Sequence, residues 1–303
     1  MLICGKKKTT IFNIKSLFKS VANKNNNMKQ ISILGCGWLG LPLAKALIEI
    51  GFSVKGSTTS EDKMTFLQDV GINPFLITLE SDGVSGNCTD FLHESETLII
   101  DIPPKLRGNN AVNPLEAIFV KKMQHLIPHI EKSTVKNVLF VSSTSVYPED
   151  NSIITEDSPL NPETESGKQL VVVEALLQNN NNFKTTIVRF GGLIGEDRHP
   201  IPFLAGKRNL ENPKAPINLI HQEDCIGIIL RIICHTEQIE VFGQTFNAVA
   251  PLHPSREEYY TQKALDFGLE LPQFSLESPT FGKTILSTKI ETVLGYTFSK
   301  PNL

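Results

Sequence analysis

Residues 35–40 read Gly-Cys-Gly-Trp-Leu-Gly, a G-x-G-x-x-G turn. A short apolar run, Gln30–Leu34, leads into it. Trp38–Ile50 leads out, with Leu39, Leu43, Leu47 and Ile50 at helical spacing. A glycine turn between a strand and a helix constrains the fold strongly, because each glycine answers a steric demand. Gly35 permits the tight turn, Gly37 lets a ligand's diphosphate approach the backbone, and Gly40 lets the helix pack closely on the strand. A diphosphate would then sit on free N–H groups at the positive end of the helix.

The remaining pattern extends this start into an α/β fold. Strands are expected at Phe52–Gly56, Pro74–Leu79, Thr97–Ile102, Val138–Ser142 and Thr185–Phe190. Helices are expected at Glu61–Val70, Pro114–Lys132, with a kink at Pro128, and Gly167–Leu177. Alternation of this kind predicts a doubly wound parallel sheet of the Rossmann type. From Gly191 onward prolines crowd in and the rhythm becomes irregular. Helices are expected at Glu223–His235 and at Ser255–Phe267, the latter capped by Ser255, with a strand at Thr245–Val249. The expected organisation is therefore an extension over 1–27, a dinucleotide-binding domain over 28–190 and a smaller C-terminal substrate lobe over 191–303, partly interleaved with the sheet.

Composition narrows the function classes. The 303 residues are 40% hydrophobic and 20% charged, with a formal net charge of −3, so no basic field argues for nucleic acid or an anionic membrane. The longest apolar runs, Thr97–Ile102 and Ile226–Ile233, fall far short of the ~18–20 residues that span a bilayer. Cys4, Cys36, Cys88, Cys225 and Cys234 form no C-x-x-C pair, and their odd number suits reduced thiols in the cytoplasm. Residues 1–27 hold six lysines and no acid. Ile11, Ile14, Phe18 and Val21 fit one face of a basic surface helix; a disordered extension, or a start placed ahead of Met28, is the plainer reading. His125 and His129 stand i, i+4 on one helix, but no acid follows in a metal-binding pattern, so no metal site is expected. No G-x-S-x-G elbow supports a hydrolase.

The end of the second strand speaks to the dinucleotide. A site for NAD usually carries an acid there for the ribose 2′-OH. Here Lys55-Gly56-Ser57-Thr58-Thr59-Ser60 offers no carboxylate before Glu61. Hydroxyls with Lys55 and Lys63 suit a 2′-phosphate, which favours NADP, with NAD as the alternative. The same hydroxyls also suit a helix cap. Asp101, after the fourth strand, falls near the nicotinamide half, or caps the Pro103-Pro104 turn. The expected cofactor contacts are Gly35, Gly37, Trp38, Leu39, Gly40, Ser57, Thr58, Thr59, Lys63, Asp101 and Pro103.

Three further segments carry a family resemblance. Val138–Tyr147, reading VLFVSSTSVY, resembles the SSxxVYG segment of extended short-chain dehydrogenases/reductases, which include sugar-nucleotide epimerases and dehydratases. Ile187–Gly195 followed by Arg198 is similar to their LRxxxxYG…R segment, and Ile220–Asp224 to their xHvdD segment. The order and spacing match from about residue 29 to 250. The resemblance implies a serine that binds the substrate oxygen, matched by Ser143, and a Tyr-x-x-x-Lys pair. The lysine is matched by Lys168 and would bind the ribose hydroxyls. The tyrosine position holds Thr164, a far weaker acid than a phenol with its reference pKa of ~10. The turn departs as well: these families usually show G-x-x-G-x-x-G.

The candidate catalytic set is thus Ser143, Lys168, Thr164 and Tyr147, with Thr164, Tyr147 or a water relaying the proton. In the resembling families Tyr147's counterpart belongs to a turn beside the active site and His221's segment to the scaffold. Two functions follow. One is an NADP-linked oxidoreductase or sugar-nucleotide-modifying enzyme acting on a small polar substrate. The other is a cofactor-sensing protein without chemistry, motivated by the missing tyrosine.

Overall fold

The computed structural model describes residues 29–104, 117–235, 240–275 and 281–303. The expected 1–27 extension, with Cys4 and its basic face, lies outside the described residues, as does the start of the long helix expected from Pro114.

Along the chain the strands are β1 (Gln30–Leu34), β2 (Ser53–Thr58), β3 (Asn73–Leu76), β4 (Thr78–Leu79), β5 (Val84–Ser85), β6 (Ser95–Ile100) and β7 (Asn137–Ser143). They continue as β8 (Ile153–Ile154), β9 (Lys184–Phe190), β10 (Gly192–Ile194), β11 (Leu219–His221), β12 (Thr245–Ala248) and β13 (Thr284–Ile285). Seven of them form the central sheet in the order β12-β9-β7-β6-β1-β2-β3. Neighbours from β3 to β7 run parallel. The chain winds outward from β1 to β3 and returns to β6 on the other side of β1, so the order reverses beside β1. That is the doubly wound Rossmann arrangement, and ligands of such sheets bind outside the strand ends at the reversal. The inner strands are buried on both faces, as covered parallel sheets require: β1 has four buried residues in a row after Gln30, whereas the edge strand β3 has none.

The chain divides into two compact units. The first holds the described residues up to Val141, with Val172–Ile187 and Ile226–Gln244. Here the helix Gly40–Glu49 turns Leu43, Ala44 and Leu47 inward. It stops where Gly51 takes φ +102°, with Gly51 N–H bonded to Ile48 O and Phe52 N–H to Leu47 O. Only a residue without Cβ adopts that stop at no steric cost. The apolar run expected as one strand over Pro74–Leu79 is two. β3 stays in the sheet, and β4 leaves it to pair antiparallel with β5. The long helix runs Ile118–Glu131 with Pro128 inside it.

The second unit holds Ser142–Val171, Val188–Cys225 and the described residues from Thr245. Its apolar cluster joins Ile194, Ile201, Ile217, Leu219, Tyr259, Tyr260 and Ala264. The helix Arg256–Asp266 begins with a capping box: Ser255 Oγ accepts from Glu258 N–H, and the Glu258 carboxylate accepts from Ser255 N–H. Two orphan donors of the first turn are satisfied reciprocally, as the sequence pattern predicts.

Candidate functional site

In the first unit, the turn after β1 is braced by β2. Gly35 N–H donates to Ser57 Oγ at 2.9 Å, and Cys36 N–H to Ser57 O at 2.8 Å. Gly35 takes φ +107°, and a Cβ on it would stand 2.4 Å from Asp101 O. A Cβ on Gly40 would stand 2.1 Å from Gly35 O. These glycines are demanded by the protein's own backbone. Gly37 differs. It is exposed, and a Cβ there would meet nothing within 4 Å. Leu39, at the start of the helix, has no side-chain cap hydrogen bond. The open face at Gly37, at the start of the helix, fits a dinucleotide's diphosphate. Trp38 is half-buried and Leu39 buried.

Asp101 follows β6 directly, and Gly40 N–H donates to its carboxylate. Burial pushes the Asp101 carboxyl up to about 7, against the opposing pull of that N–H. Cys36 faces it, its thiol pushed up to about 12 by burial and secondarily by Asp101. A carboxyl that titrates near neutrality therefore touches the helix start. Pro103 is exposed in the segment after β6.

The end of β2 differs in part from expectation. The strand runs to Thr58, two residues past the expected Gly56, which brings Ser57 inside the sheet. Ser57 Oγ braces Gly35, while Thr58 Oγ1 accepts from Ser60 N–H at 3.1 Å in a local turn. The helix Lys63–Asp69 has no side-chain cap hydrogen bond, so the hydroxyl cluster is no helix cap. Lys55 requires a correction. Its side chain is buried and its ammonium donates at 2.7 Å to both Asp90 O and His93 O, at the end of the helix Cys88–Leu92. It neutralises carbonyls left bare by that helix and is not available to a phosphate. Thr59 and Lys63 are exposed.

In the second unit, β7 delivers Ser143 half-buried and extended, φ −140°. Its Oγ accepts from Ser145 N–H at 3.2 Å, capping the short turn Thr144–Val146. The first turn of the helix Glu165–Gln178 packs on this segment. A Cβ on Gly167 would stand 2.4 Å from Ser145 O and 2.7 Å from Pro162 Cβ. Gly167 thus draws the stretch holding Lys168 against the one holding Ser143, a role that sequence reading alone did not assign. Thr164 Oγ1 accepts from Gly167 N–H at 3.1 Å, and Thr164 O from Lys168 N–H at 3.0 Å. Where the resembling families place a phenol, this chain has a helix cap. Thr164 and Lys168 are both exposed, and among the described residues the Lys168 ammonium meets no partner.

Tyr147 lies in the core, 1% exposed. Its hydroxyl accepts from Arg189 Nη1 at 2.6 Å and donates to Asn247 Oδ1 at 2.8 Å. The Arg189 guanidinium lies 5.0 Å from the ring centroid. Burial raises the phenol's pKa, with Arg189 and Asn247 opposing. His221 Nδ1 accepts from Glu223 N–H at the start of the helix Gln222–Ile233. Asp224 is fully buried and accepts from Tyr296 Oη, Ser299 N–H and Lys300 N–H, which ties down the chain's last residues. Among the described residues, no three of His, Cys, Asp and Glu cluster to hold a metal ion. No described helix is long and apolar enough to cross a membrane.

Comparison with known proteins agrees with this fold. Protein YeeZ of Escherichia coli K12 is 35% identical over 278 residues, spanning 91% of this chain and 97% of that protein. A conserved protein of unknown function from Silicibacter pomeroyi shares the fold with a TM-score of 0.71 at 21% identity, covering 91% of this chain and 95% of that one. UDP-glucuronic acid 4-epimerase from Bacillus cereus, solved with UDP-glucuronic acid and NAD, shares it with a TM-score of 0.72 at 15% identity, covering 89% of this chain and 94% of that one. The model of the NAD dependent epimerase/dehydratase family matches residues 33–247, from the end of β1 through β12. This chain belongs to the NAD dependent epimerase/dehydratase family.

Proposed function

We propose that this protein binds NADP(H) at the Gly35–Gly40 turn and acts with it on a small polar substrate, a sugar nucleotide or a related sugar, as an oxidoreductase or epimerase-type enzyme. The observation that carries the reading is the contrast among the three glycines of the strand–helix turn: Gly35 and Gly40 answer the protein's own backbone, while at Gly37 the space around the backbone is open to a ligand. A bound nicotinamide supplies hydride transfer. Ser143 Oγ hydrogen-bonds the substrate oxygen and Lys168 holds ribose hydroxyls, as their counterparts do in the resembling families. Thr164 Oγ1 accepts from Gly167 N–H and keeps its own O–H to donate, so Thr164 or a water relays the proton at that position. The Bacillus cereus relative with UDP-glucuronic acid and NAD supports the substrate class. The preference for NADP rests on the lack of a carboxylate at the end of β2, with Thr59 and Lys63 left for the 2′-phosphate. Buried, unbridged Cys36, Cys88, Cys225 and Cys234 suit a reducing, cytoplasmic setting.

Calorimetric titration with NADPH, NADP and NADH tests this. The wild type binds NADPH in the micromolar range or tighter, and NADH at least tenfold more weakly. Gly37→Val loses binding at least 100-fold with an unchanged melting midpoint, because its Cβ meets no protein atom. Absence of heat and of thermal shift with every nucleotide refutes the proposal. A second reading, a cofactor sensor without chemistry, is favoured by one observation: Thr164 serves as a helix cap where a catalytic phenol would stand. It requires NADP and NADPH to bind with different affinities, since a ligand shifts states only by differential binding.

A further inference from the structure

Four exposed apolar side chains of the second unit stand on two stretches that the backbone ties together. The short helix Ile201–Leu204 leads into one stretch, and the helix Arg256–Asp266 leads into the other. Gly206 N–H donates to Glu270 O at 3.2 Å, Gln273 N–H to Lys207 O at 2.9 Å and Leu210 N–H to Gln273 O at 3.0 Å. Leu204 and Leu269 pack against the unit's apolar cluster. Nearby side chains do the opposite: Phe203 is 76% exposed, Leu265 58%, Phe267 52% and Leu271 42%. Together they leave on the order of 400 Å² of apolar surface to water, the size of the largest patch on a typical monomer. Each partner of a stable pair covers about 800 Å², a little over half of it apolar. The four side chains supply most of that apolar share.

The face is held in place from behind. His199 Nδ1 accepts from Ile201 N–H at 3.1 Å, so the ring's Nε2–H donates to the Tyr259 hydroxyl oxygen at 2.9 Å. The same ring stacks on Phe267 with centroids 5.4 Å apart. Burial, with Lys263 adding to it, pulls the imidazole down to about 4, so the group behind Phe267 carries no charge at neutral pH. An aromatic anchor already fixed in place loses little freedom when it is covered. The rim carries both signs of charge. Lys207, Arg208 and Glu270 are exposed, and none of the three has an ion-pair partner among the described residues. An anionic lipid surface selects cations alone. Free charges of both signs around one apolar face instead complement a second copy of that face, turned about a twofold axis.

We infer that this face is a contact between two copies of the chain, with Phe203, Leu265, Phe267 and Leu271 at its centre and the cations Lys207 and Arg208 of each copy facing Glu270 of the other. The inference goes beyond the proposed reaction and uses no residue of the dinucleotide turn, so neither depends on the other.

Equilibrium sedimentation of the full chain across the micromolar range tests it. The wild type associates reversibly beyond the 33.6 kDa of one chain. Phe203→Asp and Leu265→Asp each weaken that association at least tenfold, while the circular dichroism spectrum stays as in the wild type. Should Phe203→Asp fail to fold, Phe203→Ser serves in its place and also weakens association. Reversing the rim separates a second copy from any other partner. Lys207→Glu with Arg208→Glu weakens association several-fold, Glu270→Arg does the same, and the three changes together recover most of it. A chain that stays at the mass of one copy overturns the inference, and does so in favour of a membrane if that monomer floats with phosphatidylserine vesicles. An assembly whose mass neither Phe203→Asp nor Leu265→Asp changes overturns it as well, as does a triple variant that recovers nothing.

Discussion

The turn at Gly35–Gly40 and the segment from Ser143 to Lys168 meet the demands of their chemistry in opposite ways. The turn works by what it lacks. Missing side chains at Gly35 and Gly40 let backbone pass close to backbone, and at Gly37 a Cβ would meet nothing within 4 Å. The Ser143–Lys168 segment works by what it carries, and there one group is absent. Its scaffold is intact: Gly167 packs on Ser145 O, and Ser143 and Lys168 stand in matching positions. The position of the phenol has passed to a threonine that caps the helix. A backbone site survives as long as the fold does, whereas a side-chain site can lose one member and still fold.

Three measurements sharpen the contrast. The largest effect is expected where scaffold and chemistry are easiest to confuse, at Tyr147. Tyr147→Phe removes the hydroxyl that joins Arg189 to Asn247 and leaves two buried polar groups short of a partner. It is expected to cost ~1–3 kcal/mol in denaturant unfolding and to leave NADPH affinity unchanged. Lost turnover at full stability would move Tyr147 from the scaffold to the chemistry.

The second measurement tests the turn's electrostatics. Asp101 titrates near 7 at the helix start, so it is neutral below that pH and anionic above it. An anion there opposes a diphosphate at the same helix end, and the opposition grows as pH rises through 7. NADPH affinity is therefore expected to fall several-fold from pH 6 to pH 8, and Asp101→Asn to flatten the profile. The same group affects stability. Its folded pKa lies above the unfolded value, so its contribution is fully present below about 3.8 and is lost as pH rises through about 7. Asp101→Asn is accordingly expected to raise the melting midpoint at pH 8 relative to wild type. A profile that stays flat in the wild type would break the assignment.

The smallest effect falls at Thr164. Thr164→Ala removes the cap on Gly167 N–H and is expected to cost ~1 kcal/mol. Thr164→Tyr removes the same cap and restores the phenol that the resembling families carry. If only that group separates this chain from an ordinary catalyst, turnover with a sugar substrate rises while stability falls as in the alanine variant. If turnover does not change, the segment has diverged further than one side chain.

What was legible in the residue order follows the range of the forces involved. The turn, the order of strands and helices, and the Ser255 capping box depend on neighbours within a few residues, so spacing alone exposes them. Asp101 was legible as a site candidate, but its titration near neutrality required the burial that β6 and the glycine turn create together. Lys55 misled because a lysine beside a phosphate site reads as a ligand. In three dimensions a helix end over 30 residues further along claims its ammonium. Ser57 likewise became a brace for Gly35 only when β2 extended alongside β1.

The amino-acid order specified the class of fold and the dinucleotide turn, because hydrophobic period and absent side chains are local properties of a chain. Packing settled which polar groups are occupied: Tyr147 by Arg189, Thr164 by Gly167, and Lys55 by two carbonyls. Whether a donor is satisfied depends on which distant acceptors folding brings within about 3 Å, and only the folded arrangement of the chain contains that distance.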